Sequence, residues 1–245
     1  MTVAPPRAPW YVEFFGGDYQ RLYAHEQERS AREAAGAARA LGLLPGDRVL
    51  DLCCGTGRHL RELRAAGFKA LGFDLHHGSL RAARAPCVRA EMRALPLRTG
   101  SLDAVVSLFS SFGYLESDDE DLRVLQEISR ALRPGGQVLL DLLSREHALS
   151  GFVDSQQRLD ADGSLIVEQR SFDALRGRLT TAFVLITPAG VRTDSIGHSL
   201  RLYTLTELNR LLERAGLALT ATLGSFAGEP FSLDSVRMIA LARAT

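Results

Sequence analysis

Between Val49 and Leu142, short apolar runs alternate with stretches of helical period. Val49–Leu52, Ala70–Phe73, Val88–Ala90, Ala104–Leu108 and Val138–Leu142 have the length and composition of buried strands. Between them, Arg58–Ala66 and Ser79–Arg84 read as helices. A third helix runs to Leu132 from the capping pattern Ser117-x-x-Glu120. Arg133-Pro134-Gly135-Gly136 is a stop signal. Upstream, Tyr19, Leu22 and Tyr23 share one helical face, and a second helix is expected over Glu28–Leu41. The period changes after Ser144. Leu165–Phe172, Leu179–Ile186 and Arg192–Leu202 alternate between apolar and polar positions and are separated by the turns around Gly177 and Gly190. Thr204-x-x-Glu207 then caps a helix to Ala215, and Leu217–Leu223 and Ser235–Leu241 read as two last strands.

Apolar strands joined by helices imply a parallel sheet covered on both faces. The expected fold class is therefore α/β: a doubly wound, mostly parallel seven-stranded sheet with an antiparallel β insertion after the fifth strand. Composition narrows this only a little. The 245 residues carry 29 basic and 29 acidic side chains, so the formal net charge is zero. That balance disfavours a nucleic-acid partner, which usually demands a basic surface. Three cysteines are too few for a disulfide framework and point to a reducing, cytoplasmic setting. No apolar run reaches membrane-spanning length, and residues 1–15 lack a signal-peptide pattern.

The chemistry concentrates in Val49–Leu60, VLDLCCGTGRHL. In an open parallel sheet, ligands sit at the carboxyl ends of strands, so the turn after the first strand is the default site. Gly55-Thr56-Gly57 lets a ligand approach the backbone closely. The dinucleotide pattern fails at Leu60, and no Gly-Lys-Ser/Thr follows for a phosphate loop. Asp51 at the strand end would repel a pyrophosphate and favour an ammonium group. Adjacent Cys53 and Cys54 match neither a redox nor a zinc spacing and read as packing residues. Arg58, Arg61 and Arg64 read as a solvated helix face and His59 as a surface helix residue. Acids and histidines do not cluster at metal-ligand spacing, so no metal is expected.

Val49 to Gly57 resembles the first motif of class I S-adenosylmethionine-dependent methyltransferases. Asp74, at the end of Gly-Phe-Asp-Leu, resembles the acidic position that bonds the ribose hydroxyls in that family, and Glu91-Met92 resembles the adenine-contact position. Leu132-Arg133-Pro134-Gly135-Gly136 resembles the turn before the family's fifth strand. The resemblance covers about residues 46–142 and implies S-adenosylmethionine as cofactor, S-adenosylhomocysteine as product and in-line methyl transfer to a small-molecule acceptor. The cofactor positions it implies are Tyr19, Asp51, Cys53, Gly55, Thr56, Gly57, Asp74, Leu75, Glu91, Met92, Leu108 and Phe109. Tyr11, Tyr23, Phe112 and Arg201 are candidates for the acceptor, and Tyr114, His198 and Tyr203 for catalysis. The expected organisation is one methyltransferase domain over 1–245. Residues 1–44 form an N-terminal helical cover, 46–144 the cofactor core, 150–203 the inserted meander, and 204–245 the last helix and two strands. A monomer or homodimer is expected, without nucleic acid or membrane. An RNA or protein acceptor, and a non-enzymatic cofactor-binding module, stand as alternatives.

Overall fold

The computed structural model describes residues 10–15, 19–23 and 29–245. The Pro-rich residues 1–9 and the expected helix start at Glu28 lie outside the described residues. In chain order the elements are α1 (Trp10–Phe14), α2 (Tyr19–Leu22), α3 (Ser30–Ala40), β1 (Arg48–Leu52), α4 (Arg58–Ala65), β2 (Lys69–Asp74), α5 (His77–Ala82) and β3 (Cys87–Arg89). They continue with β4 (Leu102–Ser107), α6 (Asp118–Ala131), β5 (Leu132–Leu143), α7 (Arg145–Ser150), β6 (Ser155–Leu159), β7 (Leu165–Asp173), β8 (Arg178–Ile186), β9 (Arg192–Arg201), α8 (Leu205–Arg214), β10 (Leu217–Leu223) and β11 (Arg237–Ala244). No helix among the described residues is long and apolar enough to cross a membrane.

The chain divides into two compact units. The larger spans His25–Phe152 and Arg201–Thr245. Its seven-stranded sheet has the order β10-β11-β5-β4-β1-β2-β3. The pairs β5–β4, β4–β1, β1–β2 and β2–β3 are parallel, whereas β11 runs antiparallel to both β5 and β10. This is the doubly wound sheet expected. The strand order reverses between β1 and β4, which is where such folds open a ligand crevice. β1 is buried at Val49, Leu50, Asp51 and Leu52 because helices cover both faces of the sheet. From α4, Leu60 and Leu63 join the core with Val49, Ala104, Val106 and Leu139. Each such side chain contributes about 2 kcal/mol by leaving water.

Two glycines set how closely the layers approach. A Cβ on Gly72 would lie 2.6 Å from Cys54 Sγ and 2.7 Å from Leu60 Cδ2. A Cβ on Gly36 would lie 2.6 Å from the Phe226 carbonyl oxygen, so α3 seats there only because the position is glycine. Helix α3, read from sequence as part of a cover, places Ala34 and Ala37 in this core.

The smaller unit spans Met1–Ala24 and Val153–Leu200. Its strands form a four-stranded sheet of order β6-β7-β8-β9, antiparallel where β6, β7 and β8 pair. Phe14 and Leu22 pack with Ile166 and Phe183. Strand β6, Ser-Gln-Gln-Arg-Leu, has no counterpart in the sequence reading, because an exposed polar edge strand carries no apolar alternation. Helix α7 has none either; it buries no residue. The Arg133–Gly136 stop is not a plain break. Leu132 pairs with Leu102 and Gln137 with Ala104, so the intervening turn bulges out of a strand already begun.

Candidate cofactor site at the strand ends

The turn after β1 is built from left-handed backbone. Cys53, Gly55 and Gly57 have φ of 62°, 54° and 70°. A Cβ on Gly55 would meet nothing within 4 Å, so the turn opens into space there. Gly57 differs: its Cβ would press on the Ala83 carbonyl oxygen at 3.1 Å. No side chain caps α4 at Gly57, and the Thr56 carbonyl accepts from Arg61.

Asp51 is 2% exposed. Its Oδ2 is buried without a hydrogen-bond partner. Burial, reinforced by the charge of Asp74 and opposed by Arg58, raises its carboxyl to about 7. An unpaired buried carboxylate is costly unless a cation arrives to meet it. Asp74 is half-buried; it accepts from the Gly55 N–H at 2.8 Å and the His76 N–H at 2.7 Å. Burial raises its carboxyl and these two N–H groups oppose the shift. Asp74 is not the cap of α5; His76 is, accepting from the Ser79 N–H at 3.0 Å. Asp74 thus ties β2 to the glycine turn and keeps lone pairs for ligand hydroxyls.

Leu75 is half-buried, and its carbonyl accepts from Arg89. Met92 lies 3.8 Å from the Cys53 sulfur. Both cysteines of the turn are kept as thiols by burial. Glu91 is gripped by Arg93, whose Nη2 donates at 3.1 Å and whose other arm reaches Glu120. Burial works against ionised Glu91, but the Arg93 bonds outweigh it and hold the carboxyl below its ordinary value.

At the end of β4, Leu108 is core while Phe109 and Ser110 are left-handed, with φ of 59° and 56°. Such backbone is strained for residues other than glycine. Asp141 on β5 holds it: the Phe109 N–H donates to Asp141 Oδ2 at 2.8 Å and the Ser110 N–H to the Asp141 carbonyl at 2.9 Å. Arg237 on β11 ion-pairs with both oxygens of Asp141. Arg58 stacks on the Phe109 ring with its guanidinium carbon 4.7 Å from the centroid.

Sequence reasoning missed this assembly. Arg58 is not a solvated residue: its side chain is 15% exposed and lies 3.6 Å from Glu33. Arg61 and Arg64 are exposed, as expected, and bond backbone carbonyls. His59 is not on the surface; it is 5% exposed and 2.6 Å from Glu33 Oε2. Burial keeps His59 neutral despite Glu33, while the His59 hydrogen bond keeps Glu33 ionised despite burial. One signal was available. A cation at the first residue of a helix opposes the macrodipole, so Arg58 needs a reason to be there.

Other candidates take structural partners. Tyr203 is 2% exposed; its hydroxyl donates to Asp121 at 2.7 Å and lies 3.0 Å from Asp118. Burial and the Asp121 charge push its phenol far above the usual range. Arg201 bonds Asp118 at 3.1 Å and Glu207 at 2.9 Å. Phe112 is buried against Tyr203, ring centroids 5.8 Å apart, and Tyr114 is half-buried. Arg201 and Tyr203 thereby tie α6 to the start of α8, with Phe112 packed on the Tyr203 ring. Within the smaller unit, Tyr23 Oη lies 3.1 Å from His198 Nε2, and the Phe14 and Phe183 rings flank that imidazole. Burial lowers His198 to about 4, so it is neutral at physiological pH. Tyr19 lies between Phe15 and Tyr23, each with ring centroids 4.9 Å away, and Tyr11 packs on Trp10 at 5.7 Å.

Residues 49–136 match the family model of a methyltransferase domain. A dTDP-4-amino-2,3,4,6-tetradeoxy-D-glucose N,N-dimethyltransferase of Saccharopolyspora spinosa is 27% identical over 182 residues, 69% of this chain and 70% of that protein. The cypemycin N-terminal methyltransferase of a Streptomyces species is 28% identical over 207 residues, 80% of this chain and 82% of its own length. The CcbJ methyltransferase of Streptomyces caelestis shares the fold, with a TM-score of 0.83 at 20% identity over 95% of this chain and 98% of that one. The residues fit the cofactor of such enzymes: an unpartnered buried carboxylate for an ammonium, an open glycine turn, and an acid at the end of β2 for ribose hydroxyls. Residues 49–136 match a methyltransferase domain, and the chain has the fold of S-adenosylmethionine-dependent methyltransferases.

Proposed function

We propose that this enzyme N-methylates an amino group on a small, sugar-like acceptor. When bound, S-adenosylmethionine supplies an electrophilic methyl group on a sulfonium. The observation that carries the reading is the unpartnered Asp51 carboxylate beside the open Gly55 turn. Asp51 would hold the cofactor's ammonium, Asp74 its ribose, and Leu75, Met92 and the Cys53–Gly57 backbone would line its adenosine. Phe109, locked by Asp141, would border the methionine end.

Both relatives reported above are named for amine methylation, one on an amino sugar nucleotide and one on a peptide N-terminus. An amine suits the chemistry of this chain. It needs only to be neutral at attack, so orientation and exclusion of water can supply much of the rate without a strong base. Within the smaller unit, Tyr23 and His198 are the polar pair we assign to the acceptor, with Tyr11 as a further contact. A neutral His198 can accept a hydrogen bond from the acceptor's amine. The reaction is expected in the cytoplasm, since the three cysteines are free thiols. The net charge of zero speaks against a nucleic-acid acceptor.

The test is a panel of 4-amino sugar nucleotides, N-terminal glycyl peptides, phenols and RNA, read by S-adenosylhomocysteine release and by added methyl mass. Turnover on the amino sugars, with none on phenols or RNA, is the expected result. Turnover confined to phenols would overturn the amine assignment. Turnover on the peptides alone would move the acceptor to a peptide amine.

A further inference from the structure

Like Asp51, Glu146 buries a carboxylate oxygen, Oε2, that has no hydrogen-bond partner among the described residues. Asp51 has the cofactor's ammonium in the reading above; Glu146 has no role in it. The residue is half-buried on α7, a helix that buries no residue as a whole. A glutamate on so exposed a helix ordinarily turns both oxygens to water. Here one of them is shut away from it. A buried carboxylate oxygen without a donor is costly, and a donor carried by a ligand removes the cost.

The sheet fixes where this oxygen stands. β5 pairs with β4 as far as Leu140 and Ser107, and with β11 as far as Leu143 and Arg237. Past that edge the Ser144 N–H donates to the Val236 carbonyl at 3.1 Å, and the Ser144 hydroxyl caps α7 by accepting from the His147 N–H at 3.3 Å. Glu146 lies in the first turn after this cap, at the carboxyl end of β5, the edge where doubly wound sheets take ligands. It follows Asp141, which holds Phe109 and Ser110, by no more than about 18 Å of chain. The strand order β5-β4-β1 puts the β4 end, with Phe109, between Glu146 and Asp51. β5 and β1 are two strand spacings apart, about 10 Å. Neighbouring cations are engaged elsewhere: Arg145 bonds Glu207 at 3.4 Å, and Arg237 pairs with Asp141.

We propose that Glu146 recognises the acceptor's amine, accepting hydrogen bonds from its N–H groups through Oε2. The inference rests on the amine reading above and gives that reading a residue in the larger unit. An ammonium brings a charge and several donors to a carboxylate, whereas a hydroxyl brings one neutral donor, so Glu146 selects amines over alcohols. The two carboxylates that flank the β4 end then divide the work: Asp51 serves the cofactor's cation and Glu146 the acceptor's.

The experiment is calorimetric titration of the full chain, in the presence of S-adenosylhomocysteine, with a 4-amino sugar nucleotide and its 4-hydroxy counterpart. The glycyl peptide and its hydroxyacetyl analogue form a second matched pair. Wild type, Glu146→Gln and the exposed-site control Glu213→Gln are compared, with urea denaturation of each. Wild type and Glu213→Gln are expected to prefer the amine of a pair by about 10- to 100-fold. Glu146→Gln should bind both members alike, keep wild-type affinity for S-adenosylhomocysteine and be at least as stable as wild type, since no donor loses a partner. Full preference for the amine in Glu146→Gln would overturn the proposal. So would a loss of stability or of S-adenosylhomocysteine affinity in that variant, which would mark Glu146 as a brace. Wild type that binds amine and alcohol alike, yet methylates the amine, sinks the proposal and leaves the amine reading standing. Wild type that binds neither pair and methylates no amine removes both readings together.

Discussion

Two strands of one sheet carry a buried aspartate near their ends, and the two aspartates have opposite fates. Asp141 on β5 is 1% exposed and fully engaged: Arg237 pairs with both its oxygens and the Phe109 N–H donates to it. Asp51 on β1 is as deeply buried, yet one of its oxygens has no partner. Burial raises both carboxyls, but only Asp141 has an ion-paired cation to offset it. The satisfied carboxylate is a brace that holds two strained residues. The unsatisfied one is costly to the folded chain as it stands, which is why the proposed function makes it the seat of a cation. Burial alone does not separate framework from site; burial read together with the hydrogen-bond inventory does.

The comparison breaks most visibly in stability. Asp141→Ala leaves half-buried Arg237 without this counter-ion and frees Phe109 and Ser110, so urea denaturation should show a loss of about 3–5 kcal/mol. Asp51→Asn should move the other way. The Asp51 carboxyl sits at about 7 when folded and at about 4 when unfolded, so its favourable share of stability is present below pH 4 and lost as pH rises through 7. Asparagine does not titrate. The variant should therefore match wild type near pH 4 and exceed it by about 2–4 kcal/mol above pH 7 in the absence of cofactor. The same substitution should weaken S-adenosylhomocysteine at least tenfold by calorimetry, and wild-type affinity should fall as pH drops through 7. A wild type more stable than Asp51→Asn at pH 8 would dissolve the contrast.

Asp121 extends the comparison to a third buried carboxylate. Its donor is the Tyr203 hydroxyl at 2.7 Å. Tyr203→Phe removes that donor, and a loss of about 1–3 kcal/mol is expected, with cofactor affinity unchanged. Loss of affinity would mean that Tyr203 belongs to the site after all. The smallest effect sets the scale. Thr204 and Glu207 cap α8 reciprocally, so Thr204→Ala should cost about 1 kcal/mol in the same denaturation assay, at any pH between 5 and 8.

The strands and helices of the larger unit were legible because each covered strand is a short apolar run and each helix has a cap or a glycine stop. Asp51, Gly55, Gly57 and Asp74 were legible because glycine and a strand-end acid at this spacing have few other uses. What escaped was tertiary. His59 reads as a surface residue until Glu33, 26 residues earlier, is brought beside it. Asp141 and Arg237 are 96 residues apart and look like two ordinary strand residues. Tyr203 and Arg201 look reactive in sequence, because Asp118 and Asp121, which bond them, lie on α6, more than 80 residues away. Strand β6 has no apolar face to reveal it.

The near-contact between Gly72 and Cys54 has an evolutionary consequence. With Cys54 Sγ 2.6 Å from where a Cβ on Gly72 would stand, the two positions share one volume. Neither can grow unless the other shrinks. Among homologous chains, positions 54, 60 and 72 are therefore expected to covary: a glycine at 54 together with a smaller residue at 60 releases 72 to become alanine, and a larger residue at 54 forbids it. The second cysteine of the pair would then be a size choice made jointly with the neighbouring strand of the same sheet, and the group would drift as a unit with the chemistry of the turn untouched.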